Sequence, residues 1–258
     1  MCRQHSIIFS VFFLCICLLV PGCSPQTTNS DEIFTVSDTH FIDGNYTAYS
    51  KYYNPYGYGQ VLTLEVHQGI ITTANYQEID RDGNIRTEKS DAVVRWSGSE
   101  ESLSQICAEL YSHLITRQSA DIDTISGATV TSETFHLLAE TAIQNAQEGN
   151  TAPTSVNDFI WTYTAESAAD PSTGYSDRLS ISFNGDTITE VVYDEIQENS
   201  SRSPSGEKRL ATEILTETTM TQQNLNTVPA LADYPTLSET YNTLLAQLQM
   251  QRSIFTIN

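Results

Sequence analysis

The sequence predicts an α+β protein made of two tandem homologous modules, each an antiparallel sheet packed with helices. Three observations predict it. The stretch from Tyr46 to Ile79 recurs from Tyr163 to Ile196 at one constant offset, without a gap. Each copy opens on apolar–polar alternation closed by a hairpin signal, then passes into helical spacing. A polar stretch with glycine and proline, "QEGNTAPTSVND", separates the copies. Hairpins followed by helices argue for an α+β module rather than a parallel sheet of alternating strands and helices.

Taken in order, residues 1–22 stand outside the fold. Arg3 and His5 precede "SIIFSVFFLCICLLV", an apolar run too short for a comfortable membrane span. The following "LVPGC" resembles the lipobox of bacterial lipoproteins, with Cys23 as the residue to be lipidated. That resemblance implies an exported chain, cut before Cys23 and held by acyl chains at the outer face of the cytoplasmic membrane. The alternative is an ordinary signal peptide in which Cys23 is incidental. Residues 23–40 then read as a polar tether.

The first module is expected over residues 41–148. Residues 60–66 alternate as a half-buried strand does, and His67-Gln68-Gly69 signals a hairpin before a second β-prone run. Residues 100–117 follow with helical spacing, in which Leu103, Ile106, Cys107, Leu110 and Leu114 share a face. Cys107 therefore reads as a small buried hydrophobe. It is also the single cysteine left once Cys2, Cys15 and Cys17 leave with the leader and Cys23 is lipidated, so no intrachain disulfide can form. A closing helix carries Thr131, Phe135, Leu138 and Ala142 on one face.

Residues 149–158 read as a linker, and a second module is expected over 159–258. Residues 178–183 alternate, Asn184-Gly185 signals the hairpin, and helical patterns follow at 207–218 and from Leu237 to Leu248. The closing helices align at an offset shorter than that of the strands, so about one helix-length is missing from the middle of the second copy.

The chemistry concentrates in "DIDTISGATVTS", residues 121–132. Gly127 relieves backbone crowding and Ala128 keeps side-chain space clear. Thr131 or Ser132 can cap the following helix. Free N–H groups and the dipole at that helix start also suit an anion such as a phosphate, with the Thr129 hydroxyl at its mouth. On physics alone a simple cap is the commoner use of such a turn.

Asp123, Ser126, Gly127, Ala128 and Thr129, followed by an amphipathic helix, resemble the flavinylation motif of the FMN-binding domain family of extracytoplasmic electron-transfer proteins. The resemblance covers most of residues 41–148. It implies covalent FMN, joined to Thr129 through a phosphodiester by a separate FAD-dependent flavin transferase. Ser126, Gly127 and Ala128 would give the transferase close access, and Asp123 would belong to the motif it recognises. Thr131 and Ser132 would contact the phosphate or cap the helix. In the second copy the same positions read Ala232-Asp233-Tyr234-Pro235, with no acceptor hydroxyl, so that copy is expected to keep the fold and carry no covalent flavin.

Other features are blander. Six tyrosines crowd residues 46–58; Tyr46 and Tyr58 recur in the second copy, which favours a structural role for those two. Trp96 and Trp161 are single and carry no pattern. "DRDGN" at 80–84 reads as a turn, and His40, His67, His113 and His136 show no metal-ligand spacing. With 32 acidic and 12 basic residues the formal charge is −20, one unit more negative once Arg3 leaves. Such a surface repels nucleic acid.

The resulting expectation is a lipid-anchored flavoprotein that carries one or two electrons between a membrane electron donor and a downstream acceptor. Two alternatives stand beside it. One is a reductase in its own right; the other is a non-redox surface lipoprotein that uses the same fold to bind a ligand or partner.

Overall fold

A meander of three antiparallel strands opens the fold: β1 (Gly44–Ser50), β2 (Gly59–His67) and β3 (Ile70–Ile79). The computed structural model describes residues 41–88, 93–96, 99–198 and 200–257. The leader, Cys23 and the tether expected over 23–40 lie outside them. Gln68 and Gly69 both take positive φ, +55° and +77°, which gives the hairpin between β2 and β3 the twist its strands need.

The arrangement is the expected α+β one, with two four-stranded sheets and four helices. The first sheet departs from the antiparallel expectation. Its order is β3-β2-β1-β6, and β6 (Thr154–Val156) runs parallel to β1. β6 lies inside the stretch read as a linker. Val156 is buried, and its carbonyl accepts the Lys51 N–H at 2.8 Å. The second sheet is antiparallel throughout, ordered β10-β9-β8-β7 from β7 (Ile160–Glu166), β8 (Ser176–Asn184), β9 (Thr187–Gln197) and β10 (Ser200–Arg202).

The duplication is visible bond by bond. β2 and β3 break register between Glu65 and Val66; β8 and β9 do so at the aligned Ser182 and Phe183. Two helices follow each meander: α1 (Leu103–Arg117) and α2 (Thr129–Glu148) in the first module, α3 (Gly206–Gln222) and α4 (Pro235–Gln251) in the second. Gln118 ends α1 in the left-handed region, and its amide exchanges two hydrogen bonds with the Ile71 backbone. Gln223 does the same after α3 with Ile188. Where the first copy is longer, its described residues hold a short 3-10 turn, Arg86–Glu88, and an antiparallel pair of β4 (Val93–Trp96) with β5 (Ser99–Ser102).

Each sheet packs one face on its helices. Tyr46, Leu62, Leu64, Leu110 and Phe135 centre the first core; Tyr163, Leu179, Ile181, Tyr241 and Leu244 centre the second. Trp161 packs against both.

The modules are also joined by polar contacts. Asp186 accepts from Lys51 at 2.6 Å, from Tyr52 at 2.8 Å and from Arg252 at 3.2 Å. Residues 252–255 then return to the first module. The Phe255 N–H donates to the Lys51 carbonyl, and the Phe255 ring meets Tyr49 and Tyr53 edge-on. Gly59 is what admits that ring: a Cβ there would lie 2.3 Å from it. No helix among the described residues is long and apolar enough to cross a membrane.

Candidate functional site

The loop from α1 into α2 is held from both ends. Arg117 donates to the Asp121 carbonyl and to the Asp123 carboxylate, fixing the approach to the turn. The chain then closes a four-residue turn in which the Ala128 N–H donates to the Ile125 carbonyl at 3.0 Å. Gly127 occupies its third position at φ +82°, the geometry a type II turn reserves for glycine. α2 starts at Thr129, which is exposed, as is Ser126.

Ala128 is the residue at the N-cap, and no side chain caps this helix. The first helical bond runs from the Ser132 N–H to the Ala128 carbonyl. The N–H groups of Thr129, Val130 and Thr131 therefore have no acceptor within the helix. This corrects the capping role expected of Thr131 or Ser132. Both lie inside the first turn, where Thr131 is buried and the Ser132 hydroxyl accepts the Ile125 N–H at 3.1 Å.

The second module repeats this device without the motif. The Tyr234 N–H donates to Leu231, the Ser238 N–H donates to Tyr234, and the Ser238 hydroxyl accepts the Leu231 N–H at 2.9 Å. Ser132 and Ser238 thus do the same structural task in both copies. Two things differ. Asp233, aligned with Gly127, does not take positive φ, and Pro235 stands where Thr129 does. A turn of this kind can start its helix without glycine or threonine.

A cleft of about 910 Å³ opens beside the first turn of α2. Val130, Ser132, Glu133 and Leu137 of α2 form one wall, and Ile122 and Asp123 continue it. Phe159, Ile160, Trp161 and Thr162 of the second module form the opposite wall, and the loop Asn54-Pro55-Tyr56 closes one end. The Asn54 carboxamide fixes that loop by accepting from the N–H groups of Tyr56 and Tyr58, each at 3.0 Å. Asp123, Glu133 and Asp158 line the cleft, as does His136; among the described residues no lysine or arginine does.

The cleft brings Asp123 and Ser132 together with Tyr56, one of six tyrosines whose cluster the sequence marks as a surface that could stack on a flavin ring, and with Phe159 and Trp161, which carried no motif. One signal was present. At the repeat offset Trp161 falls on Gly44, so the repeat itself does not call for an aromatic ring there.

Other groups of interest are structural. Burial pushes the Cys107 thiol up to about 12, and the Glu78 charge adds to the shift. Glu78 is itself buried between the Tyr76 hydroxyl and Arg86. Tyr46 is fully buried and donates to the Ile42 carbonyl, while Arg86 lies over the half-buried Tyr58 ring. Residues 80–84 form a turn around the Asp80 carboxylate, which accepts the N–H groups of Asp82 and Asn84. Among the described residues no three His, Cys, Asp or Glu side chains cluster as metal ligands would.

No family model and no curated protein matches the sequence. Two solved structures are similar to parts of it. A crystal structure of a Clostridium perfringens protein is 31% identical, covering 45% of this chain and 97% of its own, with a TM-score of 0.38. A solution NMR structure of a Clostridium thermocellum protein is 24% identical, covering 40% of this chain and 91% of its own, with a TM-score of 0.31. Each likeness spans less than half of the chain.

Proposed function

We propose that the protein is a flavin electron carrier, lipid-anchored through Cys23 outside the cytoplasmic membrane, with FMN joined through its phosphate to Thr129. The observation that carries this reading is a juxtaposition: an exposed threonine at the first position of an uncapped helix, beside a cleft with aromatic walls. The residues fit the group. Three helix-terminal N–H groups without helical acceptors suit a phosphodiester. About 910 Å³ lies within the range of sites that hold cofactors.

Each residue of the motif then has a task. Thr129 Oγ forms the new P–O bond as the pyrophosphate bond of FAD breaks; AMP leaves, and the hydroxyl proton passes to the transferase. Gly127 and Ala128 put no bulk over that oxygen, and exposed Ser126 leaves the approach open. Arg117 holds Asp123, and so the loop, in place. Ser132 fixes the turn through Ile125. When bound, the flavin supplies acceptance and release of one or two electrons; the protein supplies attachment, orientation and field. Electrons would arrive from a membrane donor and leave to a downstream acceptor.

The test is intact mass and absorbance after co-expression with an FAD-dependent flavin transferase. An FMN-sized mass increment and a visible flavin band are expected in the wild type and absent in Thr129→Ala. An unmodified wild type overturns the reading.

A further inference from the structure

We infer that the second module supplies the stacking wall for the isoalloxazine ring, with Trp161 as the contact and Phe159 as its backing. The inference rests on the flavin reading above and gives the second module a task within the same site.

Four observations carry it. The cleft beside Thr129 does not end within the first module; its far wall is the start of β7 and the residues before it. There Phe159 and Trp161 stack at a centroid distance of 4.5 Å with an interplanar angle of 4°. Tyr163 meets the indole edge-on at 6.4 Å, so the ring is braced by two aromatic neighbours. Both line the cleft, Phe159 buried and Trp161 half-buried. A rigid indole, presented to a cavity and braced from behind, is a surface for a planar conjugated ring.

The second observation is the break in the repeat. The positions aligned with Phe159 and Trp161 are Ile42 and Gly44, while Tyr163 keeps its partner, Tyr46. The fold therefore requires the tyrosine and not the stacked pair. Third, the cleft ends at Tyr56, which is 71% exposed although its loop is pinned by Asn54. An ordered loop that leaves an aromatic ring uncovered in the same cleft as an indole suits a planar aromatic ligand. Fourth, the acceptor threonine is missing from the second copy, so a wall for the first copy's flavin is a role that copy can fill without one of its own.

The experiment has two independent arms. In the first, wild type, Trp161→Leu and Trp161→Phe are co-expressed with the flavin transferase, and mass, flavin emission and visible circular dichroism are read. The mass increment is expected in all three. Flavin emission, quenched by the stacked indole, is expected to rise several-fold in Trp161→Leu and less in Trp161→Phe, with altered visible dichroism. Flavinylated variants with unchanged emission and dichroism overturn the inference while leaving the attachment reading intact.

The second arm does not depend on attachment. Thr129→Ala protein is titrated with riboflavin, which lacks the phosphate, and tryptophan emission is followed. Saturable quenching is expected, and its loss in Thr129→Ala/Trp161→Phe, where Trp96 alone remains to report. No quenching, or equal quenching in both proteins, overturns the inference even where the wild type carries flavin. Far-UV circular dichroism of each variant excludes unfolding as the cause, and the phenylalanine variant keeps most of the packing.

Discussion

At the scale of single residues, the informative comparison is between Ser132 and Thr129. Both sit in a hydroxyl-rich run, in which the sequence marks Thr129 as an attachment point and Ser132 as a cap or phosphate contact. In the fold Thr129 is exposed and Ser132 clamps a turn. The clamp was not legible, because it reaches back to Ile125 along a path that exists only once the turn is formed. Ser132→Ala should therefore lower stability by about 1 kcal/mol, leaving the buried Ile125 N–H without its acceptor, and Ser238→Ala should cost somewhat less, because the Leu231 N–H is only half-buried. Ser132→Ala is expected to keep covalent flavin, where Thr129→Ala loses it; denaturant midpoints and intact mass check the pair. Gly127→Ala would force a side chain into φ +82° at a cost of about 1–2 kcal/mol, without removing the Thr129 hydroxyl. Cys107 was legible from helical spacing alone. With its thiol raised to about 12, a maleimide at neutral pH should label it only after unfolding.

At the scale of elements, periodicity found the regular pieces and missed those whose partners are distant. β2 and β3, β8 and β9, the hairpins between them and all four helices follow from alternation, turn residues and apolar stripes, whereas β1 and β7 did not stand out. β6 did not. Three residues in a polar stretch carry no period, and their pairing with β1 is parallel and non-local. The pair of β4 and β5 lies where the two copies differ in length, a difference that the sequence showed without its structure. The stacked Phe159–Trp161 pair was hidden because single aromatics have no pattern; only the lapse of the repeat at Gly44 marks it. The contact of Gly59 with Phe255 is equally silent in sequence. Gly59→Ala would displace the Phe255 ring and is expected to cost about 1–3 kcal/mol. Phe255→Ala combined with Gly59→Ala should cost less than the two changes summed, a coupling that a double-mutant cycle in denaturant reads directly.

At the scale of the whole molecule, the two modules meet at Asp186. Its hydrogen bond from Lys51, with further ones from Tyr52 and Arg252, holds its carboxyl well below the usual carboxylate range. The sign follows: a depressed folded value favours the charged form, so the contribution is present above about pH 4 and lost as pH falls through the folded value. Asp186 is half exposed, so solvent screening keeps its contribution near about 1 kcal/mol. Asp186→Asn should lower the denaturation midpoint at pH 7, and the gap to wild type should narrow below about pH 4. The net charge of −20, with acids and no cation along the described cleft, opposes added negative charge on a bound ring. The midpoint potential of the flavinylated protein should therefore rise with ionic strength, as salt screens that field over about 10 Å at 0.1 M. A potential independent of salt would remove the field from the account.

The return of residues 252–255 to the first module also sets an order of assembly. During translation Lys51 and Gly59 emerge well before Phe255, at about 5–20 residues per second. Once β6 completes the first sheet at Val156, that module exists for roughly 5–20 s without the ring that fills the space over Gly59. Its native form is thus a late event in biosynthesis, although its own sheet and helices are encoded early. A nascent chain halted before residue 252 would display Thr129 on a scaffold whose space over Gly59 is still unfilled.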